Sequence, residues 1–362
     1  MFIGSLQVRN VRNLAELKLE LGPGLNLFQG PNGSGKTALL EAVFLLARGR
    51  SFRTARLSEI TRYGASGFQV VAHIRHSQDG DVVTGVSREG KEMSVRYHGE
   101  PVRRMSSHAR RFPLSIATPD SQDLIHGSPK IRRRWLDWGL FHVEQDYLER
   151  WRAYHRALRQ RSCLLKISTR SKELASWERE MATHSTEIQT ARVRFMVAVG
   201  THMQTLASKT TPYSTTLQLD PGWDVAQPLS DELESTRSQD AAAGFTRFGP
   251  HRADLTFVVD ERDASMSLSR GQSKLYVVLL AIALSQAITE LGGETPVMLL
   301  DDPAAELDAE TQGILIQLIS DQGCQSLMSL PVEVEQLADV KDIAVFHVKR
   351  GDIRKMVRSQ DS

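Results

Sequence analysis

The chain opens with strand-like patterning. In FIGSLQV and LAELKLEL apolar positions recur at or near a period of two, and the apolar stretch LNLFQ runs directly into Gly30. Residues 2–29 are therefore predicted to hold strands. The period then changes: KTALLEAVFLLAR spaces its apolar residues for a helix that begins near Lys36 and stops at Gly49. Strand patterns return between residues 68 and 117, in FQVVAHIR, DVVTGVSR, EMSVRYHGEPV and LSIAT, with a hairpin turn at Gly99. From Ser128 to about Ala207 the texture is charged and helical, with Leu148, Trp151, Leu158 and Leu165 at helical spacing. Past Pro212, STTLQL and DLTFVVD read as strands. SLSRGQSKL then leads into the apolar helix LYVVLLAIAL, followed by the strand PVMLLDD, a helix near Asp308 and short strands to the end.

This order predicts an α/β head with mixed sheets, split by a helical insertion. Residues 1–125 and 211–362 are expected to form one discontinuous domain, and residues 126–210 an Arg-rich helical arm.

The chemistry lies on either side of the insertion. GPNGSGKT satisfies G-x-x-x-x-G-K-[ST] in full, and it sits between an apolar strand and a helix, as a phosphate loop must. The loop Gly30–Pro31–Asn32–Gly33–Ser34–Gly35 is expected to wrap the phosphates of ATP with backbone N–H groups. Lys36 would reach the β- and γ-phosphates, and Thr37 would offer its hydroxyl to Mg²⁺. VMLLDD is an apolar strand ending in two carboxylates. Asp301 at its tip is placed to organise Mg²⁺, and Asp302 to act near the attacking water.

LSRGQ, Leu268 to Gln272, differs at one position from LSGGQ and so resembles the signature loop of ABC-type P-loop ATPases. That resemblance implies a loop that caps the nucleotide held by a second copy. Ser269 would supply a hydroxyl, Gly271 close backbone approach, and Gln272 a further contact. The same resemblance implies a twofold homodimer that closes on ATP, with a D-loop at Ala304–Asp308 crossing the interface.

Composition narrows the partners. The formal net charge is only +2, so nucleic-acid binding would have to come from local clustering. Two distant cysteines form neither a disulfide framework nor a zinc motif. The start of the chain lacks the pattern of a signal peptide, and the run Leu275–Leu284 is about half the roughly 20 residues needed to span a bilayer. A cytoplasmic protein without a membrane partner is expected.

Ser269 lies 233 positions beyond Lys36, a longer separation than in ABC transporter subunits. VRNVRNL around Arg12 and Asn13, GPNGSGKTALLEAV, RSFRTA, GSPKIRRRWLD, FGPHRADL, LSRGQSKL and LLDDPAAELD together resemble the RecF family of bacterial DNA replication and repair proteins, over essentially the whole chain. What the resemblance implies is a recombination mediator. ATP would dimerise it on duplex DNA beside single-stranded gaps, and it would act with RecR and RecO to help RecA load in gap repair and the SOS response. Ala253 departs from the family's usual Asp. Ser329 occupies the region where the superfamily keeps a γ-phosphate-sensing switch, and Asp120 or Gln122 falls where a Q-loop would. A slow ATPase acting as a switch is the expectation.

Residues 126–172 hold 12 Lys and Arg against 4 Asp and Glu. Arg132, Arg133 and Arg134 are adjacent, while Arg152, Arg156 and Arg159 recur at helical spacing. Both groups are candidate contacts to DNA phosphates, and a solvated helix face paired with nearby acids is the plainer alternative. The rival functions are an ABC transporter ATPase subunit and an OLD-type ATP-gated nuclease, the second of which would need a further cluster of metal-binding acids.

Overall fold

The computed structural model describes residues 1–305, 307–331 and 343–356. The chain divides into two compact units: Met1–Gln122 with Lys209–Thr211 and Ser269–Ser362, and Asp123–Ser208 with Pro212–Leu268.

The first unit begins with strands β1 (Phe2–Val11), β2 (Leu14–Glu20) and β3 (Leu25–Gln29), then helix α1 (Lys36–Arg48). Strands β4 (Gly67–His76), β5 (Gly80–Glu89), β6 (Glu92–Tyr97) and β7 (Glu100–Pro101) precede helix α2 (Met105–Arg111) and strand β8 (Leu114–Ala117). The second unit holds α3 (Asp123–His126), α4 (Pro129–Val143), α5 (Tyr147–Leu165) and most of α6 (Lys172–Thr210). It continues with β9 (Thr215–Asp220), α7 (Leu229–Ser235), α8 (Arg237–Ala243), β10 (Asp254–Val259), β11 (Arg262–Asp263) and α9 (Ala264–Ser267). The first unit resumes with α10 (Arg270–Glu290), β12 (Val297–Asp301), α11 (Ala309–Ser320), β13 (Ser326–Leu330), β14 (Ile343–Lys349) and β15 (Asp352–Lys355).

Two sheets build the first unit. One is an antiparallel sheet in the order β2-β1-β4-β5-β6-β7, including the hairpin across Gly99 that the alternation predicts. The other runs β15-β14-β3-β13-β12-β8 and is parallel except at β15. Its strands β3, β12 and β13 (LNLFQ, VMLLD, SLMSL) are buried at every position. A parallel strand covered on both faces shows this apolar run in place of alternation. The register sets Asp301 of β12 beside Ser329 of β13, and Leu330 beside Gln29 of β3. Three strand ends therefore meet at one edge of the sheet, the edge where ligands bind in open α/β sheets.

Helix α10 is long and apolar enough to cross a membrane by composition alone, yet Ser273 to Ser285 are buried without a break inside the head. It is a core helix: Ser115 of β8 donates a hydrogen bond to its Ala281 carbonyl at 3.0 Å.

The domain boundaries differ from the expectation. Residues 212–268, assigned by sequence to the head, pack with the helical arm and contribute the antiparallel sheet β11-β10-β9. One contact that ties them there is bidentate, from Arg132 of α4 to Asp254 of β10 at 2.7 and 2.9 Å. Strand-rich sequence resembles the head locally, and only such long-range pairs decide which core it joins.

Candidate nucleotide site

The loop after β3 must turn sharply against β14. A Cβ at Gly30 would lie 2.1 Å from the Val348 carbonyl oxygen, so no larger residue fits. Gly33 takes φ +75°, a conformation costly to side chains. Gly35 then caps α1 and has no side chain to satisfy the first-turn amides of that helix. Those amides and the positive end of the helix form a site for an anion. The Ser34 hydroxyl is buried in the same loop without a hydrogen-bond partner. A buried orphan hydroxyl beside unsatisfied helix-start amides fits a triphosphate.

Lys36 is buried, and its ammonium donates to the carbonyls of Gly30 (2.6 Å) and Pro31 (3.0 Å). Desolvation lowers its pKa, and the carboxylates of Asp302 and Asp301 pull it partly back. The ammonium thus stays over the loop, poised to exchange carbonyls for phosphate oxygens. Thr37 donates its hydroxyl to Asp301 Oδ1 at 3.0 Å across 264 residues of sequence. Ser329 donates to the same oxygen at 2.7 Å. Thr37 and Asp301 are the pair that would hold Mg²⁺ together with phosphate oxygens.

Asp302 is one of the few non-glycine residues with positive φ, at 51°. Its amide donates to Ser329 Oγ at 2.9 Å, which holds the strained peptide in place. Ser329 therefore links the two acids, donating to one and accepting from the backbone of the next. The sequence placed Ser329 in a switch region, and the parallel register puts it between Asp301 and Asp302.

Other contacts had no assigned role in the sequence reading. Asn13 Nδ2 donates to the Gly33 carbonyl at 3.3 Å. Arg12 (φ 54°) grips Glu41 of α1 bidentately at 2.8 and 2.9 Å, and this bond raises the guanidinium pKa. The repeated VRN of the N-terminus was the available signal.

The signature stretch sits at the start of α10. Ser269 caps that helix, accepting from the Gln272 amide at 3.3 Å, and the Gln272 side chain accepts from the Ser269 amide at 2.8 Å. Gly271 lies in this first turn. Gln122 donates to the Arg270 carbonyl at 3.4 Å, while Asp120 is exposed. In the D-loop stretch, Glu306 lies outside the described residues, and Asp308 caps α11 by accepting from the Thr311 amide.

The arginines divide. Arg132 is committed to Asp254, which removes it from the phosphate-contact candidates, and Arg133 donates to the Ala253 carbonyl at 2.6 Å. Arg134, Arg152, Arg156 and Arg159 are exposed, with Arg156 paired to Glu180 at 2.9 Å. Among the described residues no group of three His, Cys, Asp or Glu could hold a metal ion.

A parallel sheet presenting a phosphate loop after β3, an Asp-tipped strand β12 reached across β13, and a serine-capped helix in the same unit define an ABC/SMC-type ATPase head. The sequence profile described as "RecF/RecN/SMC N terminal domain" matches residues 2–352. The chain is 38% identical over 356 residues to the DNA replication and repair protein RecF of Chromohalobacter salexigens, covering 96% of this chain and 97% of that one. It is 36% identical to that of Stutzerimonas stutzeri, with 98% of each chain covered. The chain belongs to the RecF family.

The fold is similar to that of the recombination mediator protein RecF with ATP, a structure from the RecFOR pathway, at TM-score 0.82, 24% identity and 98% coverage of both chains. An Smc head bound to the C-winged helix domain of ScpA matches at TM-score 0.64 and 15% identity, covering 99% of this chain and 98% of that one.

Proposed function

We propose that this protein is an ATP-dependent, DNA-binding recombination mediator. Two copies close on ATP, hold duplex DNA beside a single-stranded gap, and with RecR and RecO assist RecA loading in the cytoplasm during gap repair and the SOS response. The observation that carries the nucleotide part is the convergence of Lys36, Thr37, Asp301 and Ser329 at adjoining strand ends. The family carries the repair context. When bound, Mg-ATP supplies a phosphoanhydride whose charge this loop is built to neutralise. Gly30 to Gly35 cradle the phosphates, Lys36 binds their oxygens, Thr37 and Asp301 hold the metal, and Asp302 orients water. Ser269, Gly271 and Gln272 cap the partner's nucleotide. Hydrolysis is slow and ends the clamped state.

Gel filtration and duplex binding with ATP, with ADP and without nucleotide test this reading on the wild type, Lys36→Arg and Ser269→Arg. The wild type is expected to dimerise and bind gapped duplex only with ATP. Ser269→Arg is expected to bind ATP and remain monomeric. A wild-type protein equally monomeric in every nucleotide state while gripping duplex would overturn the clamp, and dimers of Ser269→Arg would remove the trans cap.

A further inference from the structure

The second unit contains a half-open cavity of about 340 Å³, within the ~300–1,000 Å³ range of small-ligand sites. Tyr154, Ile188, Arg192 and Pro250 are buried in its lining, and Trp151 and His155 of α5 supply a partly exposed aromatic wall with ring centroids 3.9 Å apart. Lys130 and Arg134, both exposed, and the half-buried Arg133 add cations from α4.

The charges do not balance. Four cations (Lys130, Arg133, Arg134, Arg192) face one carboxylate, Asp137, and that acid is already claimed. Arg192 donates to its Oδ1 at 2.7 and 3.2 Å, and the Tyr147 hydroxyl donates to it at 2.6 Å. The histidines add no negative charge to the lining. His251 Nε2–H donates to the Thr246 carbonyl at 3.0 Å; burial lowers the pKa of the ring to about 4, and in the neutral ring Nδ1 accepts from the Tyr154 hydroxyl at 2.5 Å. Burial lowers the Arg133 pKa, and repulsion from the neighbouring Arg192 lowers it further. An anion entering the cavity relieves that repulsion. An apolar aromatic wall next to surplus positive charge is the chemistry that grips a base and its phosphate.

We infer that this cavity is a nucleotide pocket, taking one unpaired nucleotide with its base against Trp151 and His155 and its phosphate at Lys130 and Arg134. The inference rests on the DNA-binding reading for the source of the nucleotide, and on the cavity alone for its chemistry. In that setting the pocket tells gapped from fully paired DNA, because a paired base cannot leave its stack without cost.

The test uses the full chain and the variant Trp151→Leu, with circular dichroism to confirm the fold. With ATP present throughout, gapped duplex, the same duplex fully paired, the gapped duplex with abasic nucleotides in the gap, and free dTMP are titrated against each. Trp151→Leu is expected to weaken binding of gapped duplex by about tenfold, the scale of one lost base stack, and to leave paired duplex unchanged. The abasic gap is expected to bind wild type as weakly as the normal gap binds the variant. If the wild type binds no DNA but binds dTMP, and the folded variant does not, the pocket stands and the DNA reading falls. The inference is overturned if Trp151→Leu leaves gapped duplex and dTMP binding intact, or weakens gapped and paired duplex alike.

Discussion

At the residue scale the nucleotide site turns on a serine. Ser329 donates to Asp301 at 2.7 Å and accepts from the Asp302 amide at 2.9 Å, so one hydroxyl fixes both acids, including the residue in a left-handed conformation. Hydrogen bonds to charged groups contribute about 1.5–3 kcal/mol. Ser329→Ala is accordingly expected to slow ATP hydrolysis by roughly 10–100-fold, while ATP affinity changes less than about threefold because the phosphate loop is untouched. Steady-state phosphate release and nucleotide titration measure the two separately, and unchanged hydrolysis would rule the serine out as the link. The phosphate loop itself was legible, because its glycines and lysine are contiguous. Ser329 was legible only as a region, since its pairing with Asp301 is a fact of strand register.

At the element scale, helix ends were easier to read than helix faces. The stop of α1 at Gly49, in the left-handed conformation at φ 62°, follows from the sequence. So does the start of α10 at Ser269, where cap and signature loop coincide. The two roles separate by substitution. Ser269→Ala is expected to cost about 1 kcal/mol of stability, read as a lower urea midpoint. Ser269→Asp caps as well as serine but sets a negative charge where the partner's phosphate would sit. It is expected to keep the wild-type midpoint and to lose ATP-dependent dimerisation; dimers of Ser269→Asp would leave the residue a helix cap and nothing more. Helix α5 shows what the pattern hid. Leu148, Trp151 and Leu158 remain partly exposed, and the buried face runs through Tyr147, Tyr154, Ala157, Arg161 and Leu165. A buried arginine reads as surface until its partners are known.

At the scale of the whole molecule, those partners come from distant segments. Arg161 is fully buried, with Glu178 at 3.0 Å, Asp240 and Thr246 at 2.8 Å and the Leu233 carbonyl at 2.7 Å. Buried titratable groups also set how stability responds to pH. Burial lowers the pKa of His108, His155 and His251, the last from 6.5 to about 4. Between those two values the unfolded chain binds a proton that the native histidine refuses, so stability is full above pH 6.5 and declines as pH falls toward 4. His251 alone accounts for a loss on the order of 3 kcal/mol by pH 4. Thermal midpoints at pH 7 and pH 5 are expected to differ less in His251→Asn than in the wild type, and an equal difference would assign the pH dependence to other groups. The sequence by itself determined the elements with a strong local signal: the strand, glycine loop and lysine of GPNGSGKT, the acid-tipped strand, and the caps. Each depends on backbone conformation and chemistry within a few residues. Only the tertiary structure decided which core residues 212–268 join, that Arg132 serves Asp254, that Thr37 and Ser329 share one oxygen of Asp301, and that charges and rings from four segments face one cavity in the second unit. Those facts depend on pairs far apart in the chain, and a linear pattern of polar and apolar residues carries no record of which distant partner neutralises a charge.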